Sequence, residues 1–361
     1  MNRIFVLTAI YLFIIFLNTL PAAEKHGLWV VRYALKNDNT KEIISTSRSL
    51  GITDLFVQVW ALSEDYYRSK EYFANLVKIA HKNNIKVHAW LNVLYVWAGN
   101  DKPKIAKESY KSLLRTQNRL PKYQELKSEG IEGYYIHPYD EININKLSGM
   151  IDELIDNYDV DGIHLDYFRY PSLKYSSSPT GRSRFMLKYY YDPDILFSNA
   201  SEIKANIEYV YRQYIEFLKN ELTDFLKFIR KRTYRADKNI DLTIAVKPDA
   251  DIAEYSYLQS WKSWLEKKIC DYVIIMNYNA DNIVFGANIK KATALNENDR
   301  IVVGIATYNQ NWRSFIQKYN MTLNSPLMGT AIFSYNYLSE HKYYLDKIKE
   351  NIATGESYGS N

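Results

Sequence analysis

Residues 161–171 read DGIHLDYFRYP. The stretch opens on the turn-forming pair Asp161-Gly162 and runs through Ile163, His164 and Leu165 as a short strand. It ends on an acid, Asp166, followed by aromatics and by Arg169-Tyr170-Pro171. Side chains alternate along a strand, so His164 and Asp166 share one face, with Asp166 at the carboxyl end. A carboxylate placed inside a strand rather than on a loop is costly to bury unless it is paired or used. Asp166 is therefore the leading candidate for chemistry. His164, one layer deeper, is expected to orient it or to satisfy the interior.

Outward from this strand the pattern repeats. Ile144, Leu147, Met150, Ile151, Leu154, Ile155 and Tyr158 recur at three- and four-residue spacing, an apolar stripe that predicts a helix packed against the strand that follows. A longer helical stretch runs over residues 203–232. Apolar, β-rich runs begin at Gly27, Asp54, Ile85, Asp161, Asp241, Tyr272, Ile301 and Gly329, each separated from the next by helix-length sequence. Runs rich in Val, Ile and Leu are what parallel strands buried on both faces look like, and alternation with helices marks βα units. Eight such units is the number that closes a barrel. No Gly-rich phosphate fingerprint follows the first run, which argues against an open doubly wound sheet. The expectation is an α/β protein, a (β/α)8 TIM barrel, as a single domain over residues 24–352, with a leader over 1–23 and a flexible tail over 353–361.

Two connections are long: from Val93 to about Tyr139, and from Tyr170 to about Ala200. Both leave the carboxyl end of a strand, the face on which barrels build their sites. The second, containing PSLKYSSSPTGRSR, reads as a mobile lid or substrate rim.

Among the 361 residues, hydrophobic side chains make up 47% and charged ones 24%, a globular balance. The 46 basic and 41 acidic residues are scattered without a long basic block, so nucleic acid is not an indicated partner. The first residues, MNRIFVLTAIYLFIIFLNTLPAAEK, combine Arg3, an apolar run from Ile4 to Leu17 and small residues at Ala22 and Ala23, the pattern of a secretory signal peptide. The chain is thus expected to be secreted or periplasmic, with no stable membrane insertion after cleavage. Its lone cysteine, Cys270, starts an apolar run and reads as a buried thiol. The six histidines are dispersed with no HxH or HExxH spacing, so neither a metal nor another cofactor is expected.

Strand parity nominates the rest of the site. Gln58 and Trp60 in the second strand, His88, Trp90 and Asn92 in the third, and Met276 and Tyr278 at the sixth are expected to face the interior. Amides and indoles there suit hydroxyl hydrogen bonding and ring stacking, and Tyr278 is placed to donate to a developing charge. Tyr335 lies near the end of the last strand. Lys247, at the end of the fifth, is expected to lower a neighbouring acid's pKa or to bind a substrate anion.

The block VDGIHLDYFRYP, with VHAWLN and LFVQVW upstream, resembles the glycosyl hydrolase-like family 10 group, whose pattern DGIHxDxxRYP is met by Asp161, Gly162, Ile163, His164, Asp166, Arg169, Tyr170 and Pro171. The resemblance implies a barrel glycosidase acting on bacterial cell-wall or exopolysaccharide glycans that contain amino sugars, with Asp166 alone carried over as its acid; Arg169 of the same block joins the substrate-binding candidates. A more distant similarity is to family 18 chitinases, which carry DGxDxDxE on strand four and Met-x-Tyr-Asp on strand six. Met276-Asn277-Tyr278-Asn279 keeps part of the second motif and adds Asn277 to the candidates. Phe168 stands where the chitinase Glu would be, which argues against chemistry built on that Glu.

Glycosidases of most families need two carboxyl groups flanking the bond. Asp249, Asp251 and Glu254 follow strand five, and Glu64 and Asp65 follow strand two. Asp249, closest to a strand end beside that of Asp166, is the expected partner. The expected function is hydrolysis of a glycosidic bond in a bacterial surface polysaccharide. The alternative is a non-catalytic glycan-binding barrel.

Overall fold

The computed structural model describes residues 25–35, 38–62, 64–65, 70–99, 121–193, 204–235 and 237–354. The expected leader lies outside them. Eight parallel strands, numbered here in chain order, form the centre: β1 Lys25–Val30, β2 Asp54–Ala61, β3 Lys86–Asn92, β4 Gly162–Asp166, β5 Asp241–Val246, β6 Tyr272–Met276, β7 Ile301–Ala306 and β8 Gly329–Phe333. Each pairs with its sequence neighbour, and β8 pairs back onto β1, with Leu28 opposite Ile332, so the sheet closes into a (β/α)8 barrel. All eight predicted runs are strands of this barrel, because Val, Ile and Leu on their outer faces pack beneath the surrounding helices.

One irregularity changes what faces inward. Between β2 and β3 the register shifts after Gln58: Gln58 lies opposite Trp90, but Trp60 lies opposite Leu91, so Val59 is an extra residue. Such a bulge reverses the parity that follows it. Trp60 consequently points outward and packs in the main core with Leu91 and Leu94, not in the interior as alternation predicts.

The predicted helices form over Glu141–Asn157, capped by Asp140 accepting from the Ile142 N–H at 3.0 Å, and over Lys204–Thr233. Much of the second long connection is helix instead of a mobile rim. Ser178 accepts from the Gly181 N–H at 3.0 Å and Pro179 occupies the first turn, which together start a helix over Pro179–Tyr189. Phe185 anchors it on Tyr214 and Phe217. The first long connection folds back as an antiparallel ribbon, Tyr95–Trp97 against Tyr134–Tyr135, above the carboxyl end of the barrel. The last helix runs to Thr354, two residues into the expected tail; 355–361 lie outside the described residues.

The amino end of the barrel is closed by a polar plug. His88 hydrogen-bonds Asp54 through Nε2 at 2.9 Å, and the Lys25 ammonium donates to the same carboxylate at 2.9 Å. Burial would raise the Asp54 pKa, but His88 and Lys25 hold it well below the usual range. A Cβ on Gly162 would lie 2.1 Å from His88 Nδ1, so this position has room only for glycine. Asp161 beside it accepts from the Val87 N–H and meets His81 Nε2, each at 2.8 Å. The Asp-Gly pair of the quoted stretch is therefore an architectural joint.

Candidate active site

The carboxyl end of the barrel opens into a cleft of about 870 Å³, the size of a small-ligand site. Asp166 lies in it at the end of β4. The chain turns sharply there: Tyr167 adopts φ 52°, left-handed backbone that costs a non-glycine residue about 1–2 kcal/mol. The turn brings the Tyr167 N–H to Asp166 Oδ1 at 2.7 Å. Burial lifts the Asp166 pKa to about 6, and Glu132 adds to the rise, against the Tyr167 N–H and Arg169, which favour the charged form. A carboxyl so placed is a usable acid near neutral pH.

Glu132, just before the ribbon strand Tyr134–Tyr135, is the second carboxylate of the cleft. It accepts from the Arg169 guanidinium at 2.6 Å and from the Tyr135 hydroxyl at 2.9 Å. Burial acts to raise its pKa, but Arg169, a backbone hydrogen bond, Lys247 and the Tyr135 hydroxyl together hold it below the usual glutamate range. Arg169 is itself buried, with Tyr135, Tyr167 and Tyr257 around its guanidinium at 5.4, 5.6 and 5.1 Å. The site thus pairs a carboxyl biased toward protonation with one biased toward ionisation.

Of the residues nominated by sequence, Gln58, Trp90, Asn92, Asp166, Arg169, Lys247, Asn277 and Tyr278 line this cleft together. Gln58 accepts from the Arg32 backbone N–H at 3.2 Å. Asn277 is fixed by bonds to the Phe285 carbonyl at 3.1 Å and from Asn288 at 2.9 Å. Tyr278 stacks on Phe333 at 5.3 Å; burial, with Asp166 nearby, keeps its phenol protonated and able to donate.

Five nominations fall elsewhere. Asp249 caps the helix Ala250–Tyr257, accepting from the Asp251 and Ile252 N–H groups at 3.0 and 3.1 Å and pairing with Lys291, all of which consume its lone pairs away from the cleft. Trp60 faces outward because of the bulge. Tyr335 begins a helix and packs in the outer core. His88 belongs to the amino-end plug. His164 lies beneath the cleft floor, bonded to the Trp29 indole N–H at 3.2 Å and to Thr243 at 2.9 Å, and burial keeps it neutral. It does not reach Asp166. Among the other acids considered, Glu254 pairs with Lys219 at 2.9 Å and Asp251 is exposed. Glu64 and Asp65 form a short antiparallel pairing with the end of β2, and their side chains lie outside the described residues. Cys270 is buried, with its thiol pushed up to about 12 by burial, and is inert.

Sequence reasoning missed Glu132, Tyr95 and Trp97, which come from the first long connection, and Trp29 and Phe333 of the barrel floor. The signal available was the YVW alternation at 95–97, directly after a strand's carboxyl end.

An eight-stranded barrel with a carboxylate on β4 and a second one overhanging it has the layout of a (β/α)8 glycosidase. The glycosyl hydrolase-like 10 family model matches residues 68–320, and the chain belongs to that family; in class it is an O-glycosyl hydrolase. No curated protein matches it in sequence. Among solved structures, its fold is similar to the catalytic domain of β-amylase from Paenibacillus polymyxa, at 10% identity over 94% of this chain and 100% of that one, with a TM-score of 0.60. It is also similar to β-galactosidase from Bacillus circulans sp. alkalophilus, at 10% identity over 93% of this chain and 56% of that one, with a TM-score of 0.59. A third similar fold is the Bacillus cereus spore cortex-lytic enzyme SleL, at 11% identity over 86% and 70%, with a TM-score of 0.50.

Proposed function

We propose that the protein hydrolyses glycosidic bonds in a bacterial surface polysaccharide, a peptidoglycan glycan strand or an amino-sugar exopolysaccharide, and that it does so outside the cytoplasm, secreted or periplasmic. Asp166 is the proton donor to the leaving oxygen. Glu132, in place of Asp249, is the ionised partner that attacks the anomeric carbon or activates water. The observation that carries this reading is the pairing of a carboxyl raised to about 6 with one held below its usual range in the same cleft. Two carboxyls pushed apart in this way have divided acid and base roles.

The walls support a glycan ligand. Trp90, Trp97 and Tyr95 offer aromatic faces to pyranose rings. Asn92 Oδ1 and the indole N–H of Trp97 are buried without a hydrogen-bond partner among the described residues, whereas the Trp90 indole N–H is directed at Asp166. Orphaned buried polar atoms in a cleft call for a ligand's complementary groups; a sugar's hydroxyl and acetamido groups provide an N–H or O–H for Asn92 and an oxygen for the Trp97 indole. The leader sequence supports export, and the name of the cortex-lytic barrel of similar fold is in keeping with a cell-wall substrate.

The test is incubation with denuded peptidoglycan strands and with partly deacetylated poly-N-acetylglucosamine. The wild type is expected to release new reducing ends from at least one of them, and Asp166→Asn and Glu132→Gln to lose that release while still binding. Binding by the wild type without new reducing ends would instead make it a glycan-binding barrel.

A further inference from the structure

Lys247 ends β5 and lines the cleft. Its ammonium stands 4.7 Å above the Tyr257 ring, and among the described residues no carboxylate comes within ion-pairing distance of it. Glu132 and Asp166 are near enough to favour its charge, but Glu132 is already engaged by Arg169 and Tyr135, and Asp166 by the Tyr167 N–H. Burial, with Arg169 adding repulsion, lowers the Lys247 pKa to about 8, so the group remains largely charged at neutral pH without a dedicated counter-ion. Lys247 is partly buried, and a cation withdrawn from water is ordinarily paired. With Asp166 protonated, Lys247 and Arg169 face the single carboxylate of Glu132, so this part of the cleft has a positive excess.

We propose that the sugar bound beside Asp166 bears a carboxylate and that Lys247 is the residue that reads it. The inference rests on the glycosidase reading for its ligand class but concerns binding rather than bond cleavage. A carboxylate on a uronic acid and one on a lactyl ether substituent present the same group, so both sources fit the chemistry. An unsubstituted amine would instead place a cation against Lys247.

The experiment measures equilibrium binding to Asp166→Asn, so that no ligand is consumed. The probes are denuded peptidoglycan oligosaccharides, which bear lactyl carboxylates, and uronic-acid oligosaccharides, each alongside its carboxamide derivative. At least one carboxylate ligand is expected to bind about 10- to 100-fold more tightly than its carboxamide. Which of the two shows it identifies the source. Adding Lys247→Met is expected to abolish the difference and Lys247→Arg to keep most of it. Equal binding of both forms, a preference that survives Lys247→Met, or no binding of any carboxylate ligand overturns the proposal. Lys247-dependent binding with no reducing ends released by the wild type would leave the inference standing and remove the hydrolase reading; release without any carboxylate preference would do the reverse.

Discussion

Arg169 binds Glu132 at 2.6 Å across 37 positions of sequence, joining the loop after β4 to the ribbon that overhangs the barrel. The contact places the second carboxylate in the same cleft as Asp166 and keeps it ionised. It also explains why Arg169 belongs to the quoted stretch: the strand carries one acid and, three residues later, the cation that fixes the other.

A bell-shaped pH profile follows. In the proposed mechanism Asp166 acts only while protonated, so kcat/KM is expected to fall as pH rises through about 6. Glu132 acts only while ionised, so the acid limb is expected below the usual glutamate value of 4.5. Initial rates between pH 3 and 9 check this; a flat profile from pH 5 to 8 would remove Asp166 as the donor.

The raised pKa of Asp166 also has a cost in stability. Its folded value of about 6 exceeds the ordinary aspartate value of 3.8, so the penalty is absent below 3.8, grows as pH rises to about 6 and is constant above. Asp166→Asn removes a buried ionised group and retains an acceptor for the Tyr167 N–H. It is expected to be more stable than wild type at pH 8 by on the order of 2–3 kcal/mol and to lose that advantage near pH 3.5. Denaturant unfolding at the two pH values measures the difference.

The two tryptophans of β2 and β3 separate binding from packing. Trp90→Ala is expected to weaken glycan binding by about tenfold or more, since Trp90 lines the cleft. Trp60→Ala is expected to cost about 3–5 kcal/mol of stability, as for other buried large-to-small changes, and to leave affinity unchanged. Calorimetric titration and melting of both variants test the bulge assignment; a binding defect confined to Trp60→Ala would refute it.

Asp249→Ala removes a helix cap and is expected to cost about 1 kcal/mol while turnover is retained. Thermal melts and reducing-end assays on that variant suffice. A loss of turnover in a folded Asp249→Ala protein would return Asp249 to the chemistry.

The barrel was legible because burial on both faces writes itself into Val, Ile and Leu runs, and Asp166 because an acid breaks such a run. Parity placed Trp90 and Asn92 correctly and Trp60 incorrectly, since the inserted Val59 leaves no mark in an apolar strand. Asp249 looks catalytic by position alone; only the two N–H groups and Lys291 around it reveal a cap. Glu132 was invisible because its meaning depends on a ribbon folding back over the barrel, a long-range pairing without a local signature. Of the matched motif, Asp161 and Gly162 serve the amino-end joint, while Asp166 and Arg169 serve the site.

The most direct measurement is the hydrolysis rate of Asp166→Asn on whichever glycan the wild type cleaves, alongside a spectroscopic check that the barrel is intact. A rate lower by about 10²- to 10⁴-fold in a folded protein is expected if Asp166 is the proton donor. Unchanged hydrolysis by that variant would contradict that role.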